Sequence, residues 1–241
     1  MDRIYETARL LDEYLLFHYG SEGEVFPWRS GPRDALNFAV RTVTEMAGAV
    51  PRNRTLDLGC AVGRSSFELS RFCHHVTGID FSHSFIGAAE TLRTAGRIEY
   101  SCREEATITR RLTALRPFDS KPERINFQQG DAMDLSCGHC GYDLVHAANL
   151  LCRLAEPSLL IARLPDLVAP GGTLILTTPC TWLEEFTPSR EWPRATTFDW
   201  LQDSLTPHFS LTAQRDLPFL IREHARKFQY SIALGTVWQR R

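Results

Sequence analysis

Three features of this 241-residue chain predict an α/β fold: a mostly parallel seven-stranded sheet with helices on both faces and an antiparallel terminal hairpin. Short apolar runs alternate with segments of helical period, the pattern of crossovers between parallel strands. The first strand breaks on a glycine turn, Thr55-Leu-Asp-Leu-Gly-Cys-Ala-Val-Gly-Arg-Ser-Ser-Phe67, and leads directly into a helix. Asp57, Asp80, Asp131 and Asn149 stand at or just beyond the ends of four successive strands. That is the edge where such sheets take ligands.

The elements follow in order. Residues 3–19 carry an apolar face, Ile4, Ala8, Leu11, Leu15 and Tyr19, and Gly20 is a natural stop. Residues 21–32 read as a loop and 33–48 as a second helix, so 1–50 form an N-terminal helical cap. Strand 54–58 and helix 63–73 flank the glycine turn. Strand 76–80 ends in Gly78-Ile-Asp80-Phe-Ser82, followed by helix 83–95. Residues 97–124 read as an insertion; mixed charges favour a solvated helix pair over a lid. Strands 125–129 and 142–147, helix 157–168 and strand 173–177 complete the parallel part, with Pro170-Gly171-Gly172 as a turn. Segments 209–221 and 228–238 form the closing hairpin, its tip running from Arg222 to Lys227. The whole reads as a single domain spanning 1–241.

Composition narrows the class. Apolar residues make up 43% of the chain, enough for a full core. A net charge of −2 disfavours a nucleic-acid partner. Only Lys121 and Lys227 are lysines, so the cations are almost all arginines, which suit bidentate carboxylate recognition. Seven cysteines in apolar segments, without a signal peptide, read as reduced thiols in the cytoplasm. No apolar run approaches the roughly 20 residues a membrane span needs. Cys137-Gly-His-Cys140 lacks a second pair of matching spacing, so a loop is favoured over a metal site and no metal is expected.

The glycine spacing selects the ligand. A dinucleotide fingerprint needs G-x-G-x-x-G, and Ala61 and Arg64 occupy its later glycine positions. The pattern D-x-G-x-x-x-G resembles motif I of the Rossmann-like class I S-adenosylmethionine-dependent methyltransferases. The resemblance implies that cofactor. Asp57, Gly59, Cys60, Gly63 and Asn149 would lie near its methionine part and Asp80 at the ribose hydroxyls. Phe81, Ala132 and Met133 would lie beside adenine, and Asp131 at the adenine amino group. Taken singly, Asp57 would serve as a helix cap and Asp80 as a turn residue.

The flanks resemble something narrower. Tyr14-Leu-Leu-Phe-His-Tyr-Gly-Ser21, Ala148-Asn-Leu-Leu-Cys-Arg-Leu154 and Arg222-Glu-His-Ala-Arg-Lys-Phe-Gln229 are similar to the methyltransferase domain of ovothiol synthases. That domain methylates the ring nitrogen of 5-thiohistidine nearest the side-chain attachment (Nπ), giving ovothiol A. The resemblance implies a stand-alone or excised domain, with the sulfoxide synthase as a separate partner. The acceptor's thiolate competes with its ring nitrogen, so the ring must be clamped. Position offers Arg222, Arg226 and Lys227 for the carboxylate and Glu223 or Glu185 for the ammonium. Tyr14, His18, Tyr19 and Asn149 could orient the ring, with His18, Tyr19 and Asn149 as catalytic candidates. His18 is the candidate base; transfer by proximity without one is equally open. Tyr14 and Tyr19 could instead be core contacts, and His18 a helix-end charge. Trp182, Phe186 and Trp192 could wall the pocket or cover the sheet. The competing functions are transfer to selenohistidine or another small thiol or imidazole, and a non-catalytic cofactor-binding partner.

Overall fold

The computed structural model describes residues 5–48, 50–136 and 138–241. Cys137 and Ile4 lie outside them. The elements are α1 (Ala8–Tyr19), α2 (Glu22–Val25), α3 (Phe38–Thr44), β1 (Arg52–Leu58), α4 (Arg64–Leu69), β2 (Cys73–Asp80), α5 (His83–Ala95), β3 (Arg97–Glu105) and β4 (Ile108–Leu115). There follow β5 (Ile125–Gln129), β6 (Tyr142–Ala148), α6 (Pro157–Leu167), β7 (Val168–Thr178), α7 (Thr197–Leu205), β8 (Phe209–His224) and β9 (Lys227–Arg240).

The seven-stranded sheet has the order β5-β2-β1-β6-β7-β9-β8. The first five of these run parallel, and β9 is antiparallel to both neighbours. The chain builds outward from β1 to β5, then restarts on β1's other side with β6. The switch point therefore lies between β1 and β6, where the carboxyl-end loops diverge and leave a crevice. One core joins the sheet to α1, α3, α4 and α5, centred on Leu15, Phe67, Phe85 and Leu92. The other joins it to α6 and α7 through Leu56, Leu160, Leu164 and Trp238. Each such side chain contributes about 1.5–3 kcal/mol by leaving water.

Local chemistry explains the departures from expectation. The loop at 21–32 contains the short helix α2, closed by a capping box: Ser21 N–H donates to Glu24 Oε2 at 2.8 Å. The single helix expected at 33–48 is broken. Asn37 adopts φ 57°, a left-handed conformation Asn tolerates, and α3 begins only after it. The insertion is not a helix pair. Its residues form the antiparallel pair β3–β4, with Tyr100, Cys102 and Ala114 buried and the charges facing out. Strand β7 starts earlier than expected, because Val168 pairs with Tyr142 before Pro170-Gly171-Gly172 bulges out of the ladder. No helix among the described residues is long and apolar enough to cross a membrane.

Candidate active site

The crevice at the switch point widens into a cavity of about 360 Å³. Its floor comes from the loops after β1, β2, β5 and β6, and its roof from α1, α3 and β8.

The loop after β1 turns back onto β2: Gly59 and Cys60 N–H both donate to the Ile79 carbonyl, at 2.8 and 3.1 Å. Gly59, Ala61 and Gly63 all have positive φ, 67°, 48° and 84°. A Cβ on Gly63 would stand 2.6 Å from the Phe127 ring, so this turn admits only glycine there. Asp57, 1% exposed, supports the loop from below. Its Oδ2 accepts from the Ser65 and Ser66 hydroxyls at 2.7 and 2.6 Å. Its Oδ1 lies 2.7 Å from Nδ1 of His146, its register partner on β6. A carboxylate only accepts, so that nitrogen carries the proton. His146 Nε2 reaches the Thr42 hydroxyl on α3 at 3.1 Å. Asp57 thus braces the loop from beneath and does not itself line the cavity, so any approach to the cofactor's amino group would run through water.

Asp80 behaves differently. Its oxygens accept from the backbone N–H groups of Ala61 and Ser82, each at 2.9 Å, and it forms no ion pair among the described residues. Burial pushes its pKa up to about 6. A carboxylate at a cavity wall with spare acceptor capacity suits two ribose hydroxyls. Next to it Phe81 lines the cavity yet is 46% exposed, an open face for a purine ring. Asp131 Oδ1 accepts from Met133 N–H at 2.8 Å, and Asp131, Ala132 and Met133 line the same end. Asn149 lines the cavity beside the glycine turn, at φ 53°, its Oδ1 accepting from the Thr177 hydroxyl at 3.0 Å. These residues fit the cofactor the motif implies: Asp80 for ribose, Phe81, Ala132, Met133 and Asp131 for adenine, Gly59 and Asn149 for the methionine part.

Cys60 and Gly63 do not line the cavity. The Cys60 thiol is buried and burial pushes its pKa well up; Gly63 serves the turn.

On the roof, Tyr14 and His18 line the cavity, their rings stacked at 5.7 Å. Burial and the nearby Arg64 guanidinium lower the His18 pKa to about 3, so the ring is neutral at pH 7. Its Nδ1 is buried without a hydrogen-bond partner among the described residues. Tyr19 is not in the wall. Its hydroxyl donates to the Val62 carbonyl at 2.8 Å, bracing the glycine loop.

The hairpin enters the cavity through Phe219 and Ile221, not through its charges. Strand alternation turns Arg222 to the opposite face. There it is 2% exposed and donates to Glu104 Oε2 at 2.8 Å and to the Glu24 carbonyl at 2.5 Å. Glu223 pairs with Lys227 at 2.8 Å, and Arg226 lies over the Trp28 ring at 5.2 Å. Glu185 is exposed and outside the wall. The expected carboxylate and ammonium binders thus do not line the cavity. Trp182 and Trp192 are fastened to Thr197 and Thr187, at 3.0 and 2.8 Å, and do not line it. Arg153, within a motif the sequence singled out but given no role there, does line it, its guanidinium 4.6 Å from the Phe186 ring centre.

Comparison with known proteins identifies the family and the fold. The methyltransferase domain family matches residues 32–224. Ubiquinone biosynthesis O-methyltransferase of Aromatoleum aromaticum is 26% identical over 126 residues, 52% of this chain and 43% of that protein. The Aeromonas salmonicida protein of the same name is 25% identical over 136 residues, 56% and 47% of the two chains. The chain spans about half the length of these relatives. Among solved structures, the Bradyrhizobium japonicum N-methyltransferase NodS bound to S-adenosylhomocysteine superimposes with a TM-score of 0.54 at 18% identity, covering 95% of this chain and 98% of NodS. The [4+2]-cyclase SpnF reaches 0.62 at 15% identity, covering 99% and 95%. The chain belongs to the methyltransferase domain family, and its fold is that of the class I S-adenosylmethionine-dependent type.

Proposed function

We propose that this enzyme methylates the Nπ ring nitrogen of 5-thiohistidine, giving ovothiol A. The reading rests on the resemblance of three segments to ovothiol-synthase methyltransferase domains. Two of them, 14–21 and 148–154, contribute residues to the wall of one cavity. S-adenosylmethionine supplies an activated methyl group on a sulfonium. The chain's own work is to hold a flat ring against that methyl and to exclude water.

An imidazole nitrogen with a free lone pair takes the methyl group without a dedicated base, so a flat aromatic-walled cavity that holds the ring by proximity supports N-transfer. Tyr14, Phe17, Phe38 and Phe219 give the ring aromatic neighbours. The cavity is near the lower end of the usual range for small-molecule sites, about 300–1,000 Å³. The substrate would come from a separate sulfoxide synthase.

Mass spectrometry of the purified protein with S-adenosylmethionine and reduced 5-thiohistidine tests the assignment, with histidine and a catechol in parallel. One added methyl on thiohistidine alone is expected. Transfer to the catechol alone, or to none of the three while S-adenosylhomocysteine still binds, overturns it. The second outcome would send the search to selenohistidine and other small thiols.

A further inference from the structure

Among the described residues Arg153 is the cation of the cavity wall; the wall's carboxylates, Asp80 and Asp131, lie at the cofactor end, and its histidine, His18, is neutral. Other guanidiniums of the fold are matched with acids: Arg64 with Glu68 at 2.8 Å and Arg222 with Glu104 at 2.8 Å. Arg153 forms no ion pair among the described residues.

It is nonetheless held. Nη1 donates to the Cys152 carbonyl at 3.1 Å and to the Thr181 carbonyl at 3.4 Å, while the guanidinium carbon sits 4.6 Å from the Phe186 ring centre. The Tyr5 hydroxyl, also in the wall, is its further polar neighbour. One nitrogen tied to the backbone and a guanidinium seated over the Phe186 ring hold the fork before any ligand arrives. A preorganised guanidinium is matched in shape and charge to a carboxylate. The aromatic neighbours Tyr5, Tyr14 and Phe85 stand in edge or tilted contacts, with centroid separations of 4.6–6.5 Å.

We propose that Arg153 anchors an acidic group of the acceptor, so that the enzyme selects a planar ring bearing a carboxylate over the same ring without one. The inference rests on reading this cavity as the acceptor site. It replaces the hairpin cations, which the fold commits elsewhere.

The test is calorimetric titration of the protein saturated with S-adenosylhomocysteine. The ligands are two pairs: 5-thiohistidine with its decarboxylated amine, and imidazolepropionate with its carboxamide. Wild-type protein is expected to favour each carboxylate by about tenfold or more, the range of a charge-assisted pair. Arg153→Gln is expected to erase that preference and leave the affinity for the partners without a carboxylate, and for S-adenosylhomocysteine, unchanged. Arg153→Lys, which keeps the charge and loses the fork, is expected to restore part of it, and it also serves if the glutamine variant does not fold.

A preference that survives in Arg153→Gln overturns the proposal. So does a variant that loses S-adenosylhomocysteine affinity while keeping the preference, because Arg153 would then serve the cofactor. A wild-type protein indifferent to the carboxylate does the same. Turnover of 5-thiohistidine is read separately. An Arg153-dependent preference for imidazolepropionate without that turnover keeps the anchor and removes the thiohistidine assignment; turnover without the preference does the reverse.

Discussion

Asp80 carries its charge with two backbone N–H groups and no cation among the described residues. Burial raises its pKa to about 6, so the folded protein takes up a proton there before the unfolded chain does. The sign follows by linkage. Asp80 opposes folding above pH 6, and lowering the pH from 7 toward 4 relieves that opposition. Cofactor binding runs the other way, because ribose hydroxyls donate to the ionised carboxylate. S-adenosylhomocysteine affinity is expected to fall as pH drops through about 6, and Asp80→Asn to bind weakly without that pH dependence; calorimetry at several pH values reads both. The His146–Asp57 pair is structural by contrast, 0% and 1% exposed. His146→Leu leaves a buried carboxylate short of a donor and should cost about 2–4 kcal/mol in urea unfolding. Asp57 was visible in the sequence as a motif residue. Its partner was not, because His146 is 89 positions away and is brought alongside only by the register of β1 with β6.

The glycine loop is the most constrained element of the site. Ala61 holds φ 48° between two glycines, a conformation costing an L-residue about 1–2 kcal/mol. Ala61→Gly is therefore expected to raise the unfolding free energy by roughly 1 kcal/mol, the relieved strain being partly offset by the freer unfolded chain. Gly63→Ala should lower stability by more than that gain, from φ 84° and the Phe127 ring together. Equilibrium urea curves for the two variants check the opposite signs. The hairpin β3–β4 is fastened to β8 by Arg222 and Glu104. Arg222→Met should cost about 2 kcal/mol by melting and leave the acceptor KM unchanged; a large KM rise with unchanged stability would return Arg222 to the substrate. The strand character of 97–115 was legible in the alternation of Ile98, Tyr100 and Cys102, and again in Leu112 and Ala114. Interleaved charges obscured it, since a half-buried hairpin must present polar groups on its outer face. Likewise Ser21 and Glu24 spell the capping box of α2.

The architecture as a whole was readable because parallel strands joined by helices leave a periodic trace, and because the ligand edge collects its polar residues at strand ends. The seven strands and the antiparallel last pair appear where the pattern puts them, with ends shifted by a few residues. The acceptor side was less legible for a physical reason. Its wall is assembled from α1, α3, β8 and the loop after β6, segments far apart in sequence whose facing side chains depend on packing. A one-residue step along β8 separates Ile221, in the wall, from Arg222, buried behind it. The fold does not set the reaction either, as its likeness to a [4+2]-cyclase shows.

The central claim is that one cavity holds a thiohistidine ring so that nitrogen, not the more nucleophilic sulfur, meets the methyl group. Carbon-13 NMR of the product formed from methyl-labelled S-adenosylmethionine and 5-thiohistidine measures that directly. A single labelled methyl on the Nπ nitrogen, coupled to the ring proton and to the adjacent ring carbon bearing the side chain, is the predicted result. A labelled S-methyl product, or a mixture of N- and S-methyl forms matching the uncatalysed reaction, would contradict it.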